Sequence, residues 1–218
     1  MTITNGASAK GGAIYARGDL ILEDVVVSGS SSTATGGGIY AKQDLSLLRS
    51  SVTGNQATDN GGGIYATAGT SVTLTESLIA GNSSGNFGGG LFTTTGTVEA
   101  VNTTFSSNSA KEGGALYASL SAEAVFTNVT VTANTGTTSG GGLANDSGTI
   151  TLRNTIVAGN LSDTDADLQG AITSEGNNLI GIIDTSTGIA DGTKNDQAGT
   201  KSSPVEAGLT SLGDYGGS

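Results

Sequence analysis

The sequence predicts an all-β fold: a right-handed, single-stranded parallel β-helix of about seven coils, each of roughly 26 residues with three short strands. Three observations predict it. A glycine-rich segment ending in an aliphatic anchor returns at nearly fixed spacing, two further apolar series keep step with it, and the composition suits a narrow stacked core better than a globular one.

The anchors are Ile14, Ile39, Ile64, Leu91, Leu116 and Leu143, at steps of 25, 25, 27, 25 and 27 residues, and a degenerate anchor, Leu168, follows after 25 more. A glycine run precedes each of the six, as in Gly61-Gly-Gly-Ile-Tyr65. Self-similarity at this period marks a repeat unit that cannot bury its apolar face alone and must stack on its neighbours. Glycine runs also exclude helix, at about 1 kcal/mol per Gly.

A second strand starts at Leu20, Leu45, Val72, Val98, Ala124 and Ile150, and a third reaches Val27, Val52, Ile79, Phe105, Val131 and Val157, seven residues later in every coil. Length varies elsewhere: six to eight residues separate the anchor from the second strand, and eleven or twelve separate the third strand from the next anchor. Parallel coils stack at roughly 4.8 Å, so sequence columns become spatial ladders. The inner columns carry the aliphatic content that strands buried on the core side need.

The 218 residues include 37 Gly and 1 Pro, with 35% hydrophobic, 4% aromatic and 12% charged residues. Large side chains are too few for a globular core, and charges too few for disorder by self-repulsion. Without Cys or His there are no disulfides and no thiolate or imidazole metal sites. A net charge of −11 argues against nucleic acid or anionic lipid as partner. No apolar run approaches the roughly 20 residues that cross a bilayer, so this segment inserts no membrane helix. Residues 1–170 read as β-helix repeats and 171–218 as a degenerate final coil with a cap-like segment. Ile3 lies eleven residues before Ile14, as a third-strand residue lies before the next anchor, so the first coil reads as truncated. The expectation is an excised fragment without its own leader or anchor, whose open end associates end-on as a homodimer.

Several columns are candidate sites. Three residues beyond the valine series stand Ser30, Asn55, Asn82, Asn108, Asn134 and Asn160, an asparagine ladder whose amides bond from coil to coil and whose turn tolerates left-handed backbone. A second polar column, Asp24, Arg49, Glu76, Asn102, Asn128 and Asn154, alternates in charge over its first three members and reads as scaffold held by neighbouring opposite charges. If the anchors point inward, Tyr15, Tyr40, Tyr65, Phe92 and Tyr117 point outward and stack into an aromatic ladder, either self-stabilising or a strip for sugars or a protein. A column of Ser28, Thr53, Ala80, Ser106, Thr132 and Ala158 is too irregular for more than a remote ice-binding reading. Asp163, Asp165 and Asp167, with Glu175 nearby, form the sharpest acidic constellation and are the candidate ligands for Ca²⁺. The sixth and twelfth positions from Asp163 hold Leu168 and Ser174, so no EF-hand loop is present, and a solvated acidic turn competes with a looser Ca²⁺ site. No other cofactor is expected.

Phe105-Ser-Ser-Asn108 followed by Gly113-Gly-Ala-Leu116 resembles the paired FxxN and GGA(I/L/V) motifs of polymorphic outer membrane protein repeats. Asn154-Thr-Ile-Val-Ala-Gly-Asn160, Asp167-Leu-Gln-Gly170 and Glu175-Gly-Asn-Asn-Leu-Ile-Gly181 are similar to the final coils of CSLREA-type and choice-of-anchor bacterial surface proteins. The tail with Asp196 to Thr200, Pro204-Val205, Leu209 to Leu212 and Asp214-Tyr-Gly-Gly217 resembles the end of the same domain. The resemblance implies export, a bacterial cell-surface or secreted location, and an adhesive or shielding role without implying an activity. Carbohydrate-active β-helix enzymes are the alternative. Their sites need clustered carboxylates with a basic partner and a walled groove, whereas the eight basic residues here are scattered over different columns and the turns are short. No catalytic residues are assigned, and the function read from the sequence is a non-catalytic rod or adhesin-like surface for a glycan or protein.

Overall fold

The structure, a computed structural model, describes residues 1–210. Leu212 and Asp214 to Gly217 of the terminal motif, with the end of the 171–218 segment, lie outside the described residues. One coil runs through Ile39–Ala41 in sheet 1, Leu45–Leu48 in sheet 2, Ser51–Thr53 in sheet 3 and Gln56–Ala57 in sheet 4. Among the described residues, sheets 1, 2 and 4 have seven strands and sheet 3 has nine, each strand pairing in parallel with its equivalent in the next coil.

The chain is thus a parallel β-solenoid with the anticipated strands and register. Ile14, Ile39, Ile64, Leu91, Leu116, Leu143 and Leu168 pair in sequence down sheet 1. Val27, Val52, Ile79, Phe105, Val131 and Val157 do so down sheet 3. From Ile39 and Val27 onward these columns, with Leu47, Leu74, Ala100, Phe126 and Leu152 from sheet 2, form one continuous core with almost no solvent contact, against which Ile14 is partly buried. Phe105 and Phe126 stack inside it with ring centroids 5.4 Å apart. Two aromatic rings fit because their coils carry Ala100 and Ala124 at neighbouring core positions.

The connection from the third strand to the next anchor contains a fourth strand. Its members, such as Ser31–Thr35, Ser83–Ser84 and Thr135–Ser139, are mostly Ser and Thr, so no apolar period marks them. Register shifts interrupt their pairing between Ser8 and Lys10, Ala110 and Glu112, and Gly136 and Ser139. Such bulges let neighbouring coils of unequal length stay aligned elsewhere. Beyond residue 170, Ile172–Gly176 extends sheet 2, and Leu179–Ile180 and Gln197–Ala198 extend sheet 3. Among the described residues, the segment beyond 170 thus continues two of the four sheets.

Candidate functional site

The asparagine ladder is present and buried. Backbone N and Nδ2 of Asn82 both donate to Asn108 Oδ1 at 3.0 Å, while Nδ2 also donates to the Val52 carbonyl at 2.8 Å. Asn55, Asn108 and Asn134 repeat this arrangement, each donating to the next rung, and Asn134 hands on to Asn160. Asn82, Asn108 and Asn134 have no solvent exposure. The turn geometry differs from expectation: the left-handed residues are the preceding Gly54, Gly81, Ser107, Ala133 and Gly159, not the asparagines themselves. Asparagine is used here for its amide, which satisfies buried backbone groups that would otherwise be stranded.

Asp163, Asp165 and Asp167 read from the sequence as a solvated acidic turn or a looser Ca²⁺ site, but Asp165 and Asp167 are buried rather than solvated. Asp167 is the end of the ladder: its Oδ1 accepts from Asn160 N at 3.0 Å and Nδ2 at 2.8 Å, and its Oδ2 accepts from Ile182 N at 2.8 Å. Burial pushes its carboxyl up to about 6, against the three N–H groups that favour the anion. Asp165 Oδ1 accepts from Thr185 N at 3.3 Å and from its hydroxyl, while Asp163 is exposed. The chain turns at Asp165, whose φ is 53°, and the carboxylates of Asp165 and Asp167 go to separate partners. No three such ligands converge among the described residues.

A second buried ladder was not anticipated. Val25 N donates to Ser50 Oγ, Ser50 N to Ser77 Oγ and Ser77 N to Thr103 Oγ1. Val129, which carries no hydroxyl, interrupts the series; beyond it Val129 N donates to Thr155 Oγ1 and Thr155 N to Asn178 Oδ1. This ladder also ends on a carboxylate, because Asp196 Oδ1 accepts from Asn178 N at 2.9 Å and Nδ2 at 3.0 Å. A carboxylate oxygen accepts, so it closes a run of backbone N–H donors that point toward the C-terminal end.

The aromatic side chains stack outside the core. Successive centroids from Tyr15 through Tyr40, Tyr65 and Phe92 to Tyr117 lie 5.0, 5.1, 5.1 and 5.8 Å apart. Outward is not the same as open: Tyr40, Phe92 and Tyr117 are only 6–8% exposed, while Tyr15 is 38% exposed. Phe87 covers the C-terminal rungs, 4.6 Å from the Tyr117 ring. Burial, then Asp146 and Glu112, push the Tyr117 hydroxyl up to about 12. Three of the basic residues that looked scattered gather at the other end, with Lys10 over Tyr40 and Arg17 and Lys42 over Tyr15, at 5.2, 5.6 and 5.8 Å. Face-to-face stacking leaves edges rather than ring faces to a partner along most of the column.

The concave surface lies elsewhere. Where sheet 2 turns into sheet 3, Asp24, Arg49, Glu76, Asn102, Asn128, Asn154 and Asn177 all have φ between 46° and 59°. This corner stands beside the outer row of sheet 3 and makes a shallow trough along the helix axis. One section is lined by Arg49, Glu76, Leu78, Asn102 and Thr104. The wider one, about 510 Å³, is lined by Asn128, Thr130, Asn154, Ile156, Asn177, Leu179, Asn195 and Gln197. Arg49 Nε donates to Asp24 at 3.0 Å and Nη2 to Glu23 at 2.5 Å, so Arg49 holds Asp24 below the usual carboxylate range. The alternation stops there, since Glu76 forms no ion pair among the described residues. Asn128 Nδ2 donates to Asn102 Oδ1 at 3.2 Å and Asn154 Nδ2 to Asn128 Oδ1 at 2.7 Å, an exposed counterpart of the buried ladder.

The solenoid is that of the right-handed β-helices, and the chain belongs to that family: the model of the right-handed beta helix region matches residues 2–162. No curated protein and no solved structure matches the chain significantly. The described residues contain no helix long and apolar enough to cross a membrane.

Proposed function

We propose that the chain is a non-catalytic rod segment of a bacterial surface or secreted protein, an adhesin-like spacer whose outer faces meet a glycan or protein partner. The observation that carries this reading is the unbroken in-register stack: the anchor column runs through seven consecutive strands of sheet 1. A rod fixed this way holds its outer side chains at constant spacing, which suits display. Resemblance to polymorphic outer membrane protein repeats and to CSLREA-type surface proteins supports the location. Against a carbohydrate-active enzyme stand the pairing of Arg49 with Glu23 and Asp24 and of Arg153 with Glu175, and the use of Asp165 and Asp167 as acceptors for the final coil. Those groups are committed to the scaffold.

Two measurements test the reading. Protease or antibody labelling of intact source cells should reach the chain without lysis; labelling only after lysis would overturn the location. Incubation with a panel of acidic polysaccharides should release no unsaturated or reducing sugar. Release abolished by a single Asp→Asn substitution would make the protein an enzyme.

A further inference from the structure

We infer that the wider section of the trough is a binding site for an uncharged glycan chain lying along the helix axis, its hydroxyl groups bridging the stacked corner amides. The inference rests on reading the outer faces of the rod as binding surfaces. Its central observation is a break in the exposed ladder. Both side chains are exposed, and among the described residues Asn154 donates through Nδ2 to Asn128 with no protein partner for its Oδ1, while Asn177 accepts from Asn195 through Oδ1 with no protein partner for its Nδ2. A bulge at Glu175, between the pairs Leu152–Ser174 and Arg153–Gly176, immediately precedes the two rungs. An acceptor and a donor therefore stand open in adjacent coils, roughly 4.8 Å apart along the axis. A hydroxyl donates and accepts at once, so a polyhydroxylated chain answers both.

Backbone geometry alone does not account for asparagine here. Asp24, Arg49 and Glu76 hold the same left-handed corner with φ of 53°, 46° and 49°, so the later coils use amides where the fold accepts other side chains. Beside the amides, Ile156 and Leu179 are half-buried and offer apolar contact to the C–H face of a pyranose ring. Among the described residues no charged side chain lines this section, whereas Arg49 and Glu76 line the other. Together with the net charge of −11 this selects a neutral chain over a uronate. An extended peptide would need a free strand edge for main-chain pairing, and the bordering strands Ile156–Val157 and Leu179–Ile180 are each paired on both sides.

Cellohexaose, xylohexaose and N-acetylated chitohexaose, with hexagalacturonate as the charged comparator, are titrated into the ¹⁵N-labelled chain and followed by calorimetry and by side-chain amide resonances. Saturable binding of at least one neutral hexasaccharide is expected, moving the Asn154 and Asn177 amide signals. Combined Asn128→Gly, Asn154→Gly and Asn177→Gly substitution keeps a residue suited to the left-handed corner and should weaken binding about tenfold or more. No neutral binding, a preference for hexagalacturonate, unmoved Asn154 and Asn177 signals, or undiminished binding in a folded triple variant would each overturn the site. The amide signals are read on the unsubstituted protein, so they decide even if the variant fails to fold. Small-angle scattering on the same samples separates the two readings: an extended particle without glycan binding removes the trough alone, and a compact particle removes the rod.

Discussion

Asp167 carries a conflict that its position creates. The carboxylate accepts three N–H groups, yet it is 1% exposed, and burial dominates, pushing it up to about 6. Because this lies above the value near 3.9 of an unfolded chain, the folded protein holds the proton more tightly than the unfolded one. The group's contribution is therefore complete below about pH 4 and is lost as pH rises through about 6, at most about 3 kcal/mol in all. Urea midpoints of wild type and Asp167→Asn, taken near pH 4 and near pH 7, should show the wild type losing ground to the variant as pH rises. A constant difference would mean that the three N–H bonds cancel the desolvation. This role was hidden in the sequence for a definite reason: ladder rungs recur 25 to 27 residues apart, but Asp167 follows Asn160 by seven. The hydroxyl ladder was hidden by composition, since Ser50 and Thr103 sit in a chain where Ser and Thr occur everywhere.

At the scale of the turn and strand, what was legible was whatever repeats with an apolar side chain. Ile64 and Val52 reveal their strands, whereas Ser83–Ser84 reveals nothing, and the shielding of Tyr117 depends on Phe87, whose equivalents in the neighbouring coils, Asn60 and Glu112, are polar. The buried asparagines were legible as a column, and their bonding makes the column directional: removing one amide deprives the preceding rung of the oxygen that accepts its N and Nδ2. Asn108→Leu and Asn134→Leu should each lower stability by about 1 to 3 kcal/mol, and an unchanged urea midpoint in both would show the amides to be dispensable. Two glycines separate the demands of space from those of conformation. A Cβ on Gly62 would press on the Ser83 and Gly89 carbonyl oxygens, whereas one on Gly54, at φ 62°, meets nothing within 4 Å. Gly54→Ala should cost about 1 to 2 kcal/mol for the left-handed backbone alone. Gly62→Ala must push neighbouring coils apart and should cost clearly more, so equal midpoints for the two variants would refute the close-approach argument.

The whole molecule is close to one-dimensional, since each coil rests only on the coils before and after it, and its stability is a chain of interfaces rather than a shared core. Burial is uneven along that chain. Ile14 and Leu20 are only half-buried and Ala7–Lys10 is exposed throughout, while Ile64, Leu74 and Ile79 are fully buried. Amide exchange should consequently be fastest around Ala7–Lys10 and slowest around Ile64–Ala66 and Leu91–Thr93. The same geometry predicts that identical truncations have different consequences. Leu22 and Leu74 occupy the same inner column, at 7% and 0% exposure, and either change to Ala removes about 2 to 5 kcal/mol of local packing. At Leu22 that loss falls on a coil that already opens readily, so exchange should rise there alone and the main unfolding transition should keep its midpoint. At Leu74 it weakens interfaces in the middle of the rod, which can then open on either side without the other. The urea transition of Leu74→Ala should broaden, with exchange rising in both flanking coils. A transition for Leu74→Ala as steep as that of the wild type, merely displaced, would show that the coils unfold as one cooperative body and that nearest-neighbour reasoning fails for this chain.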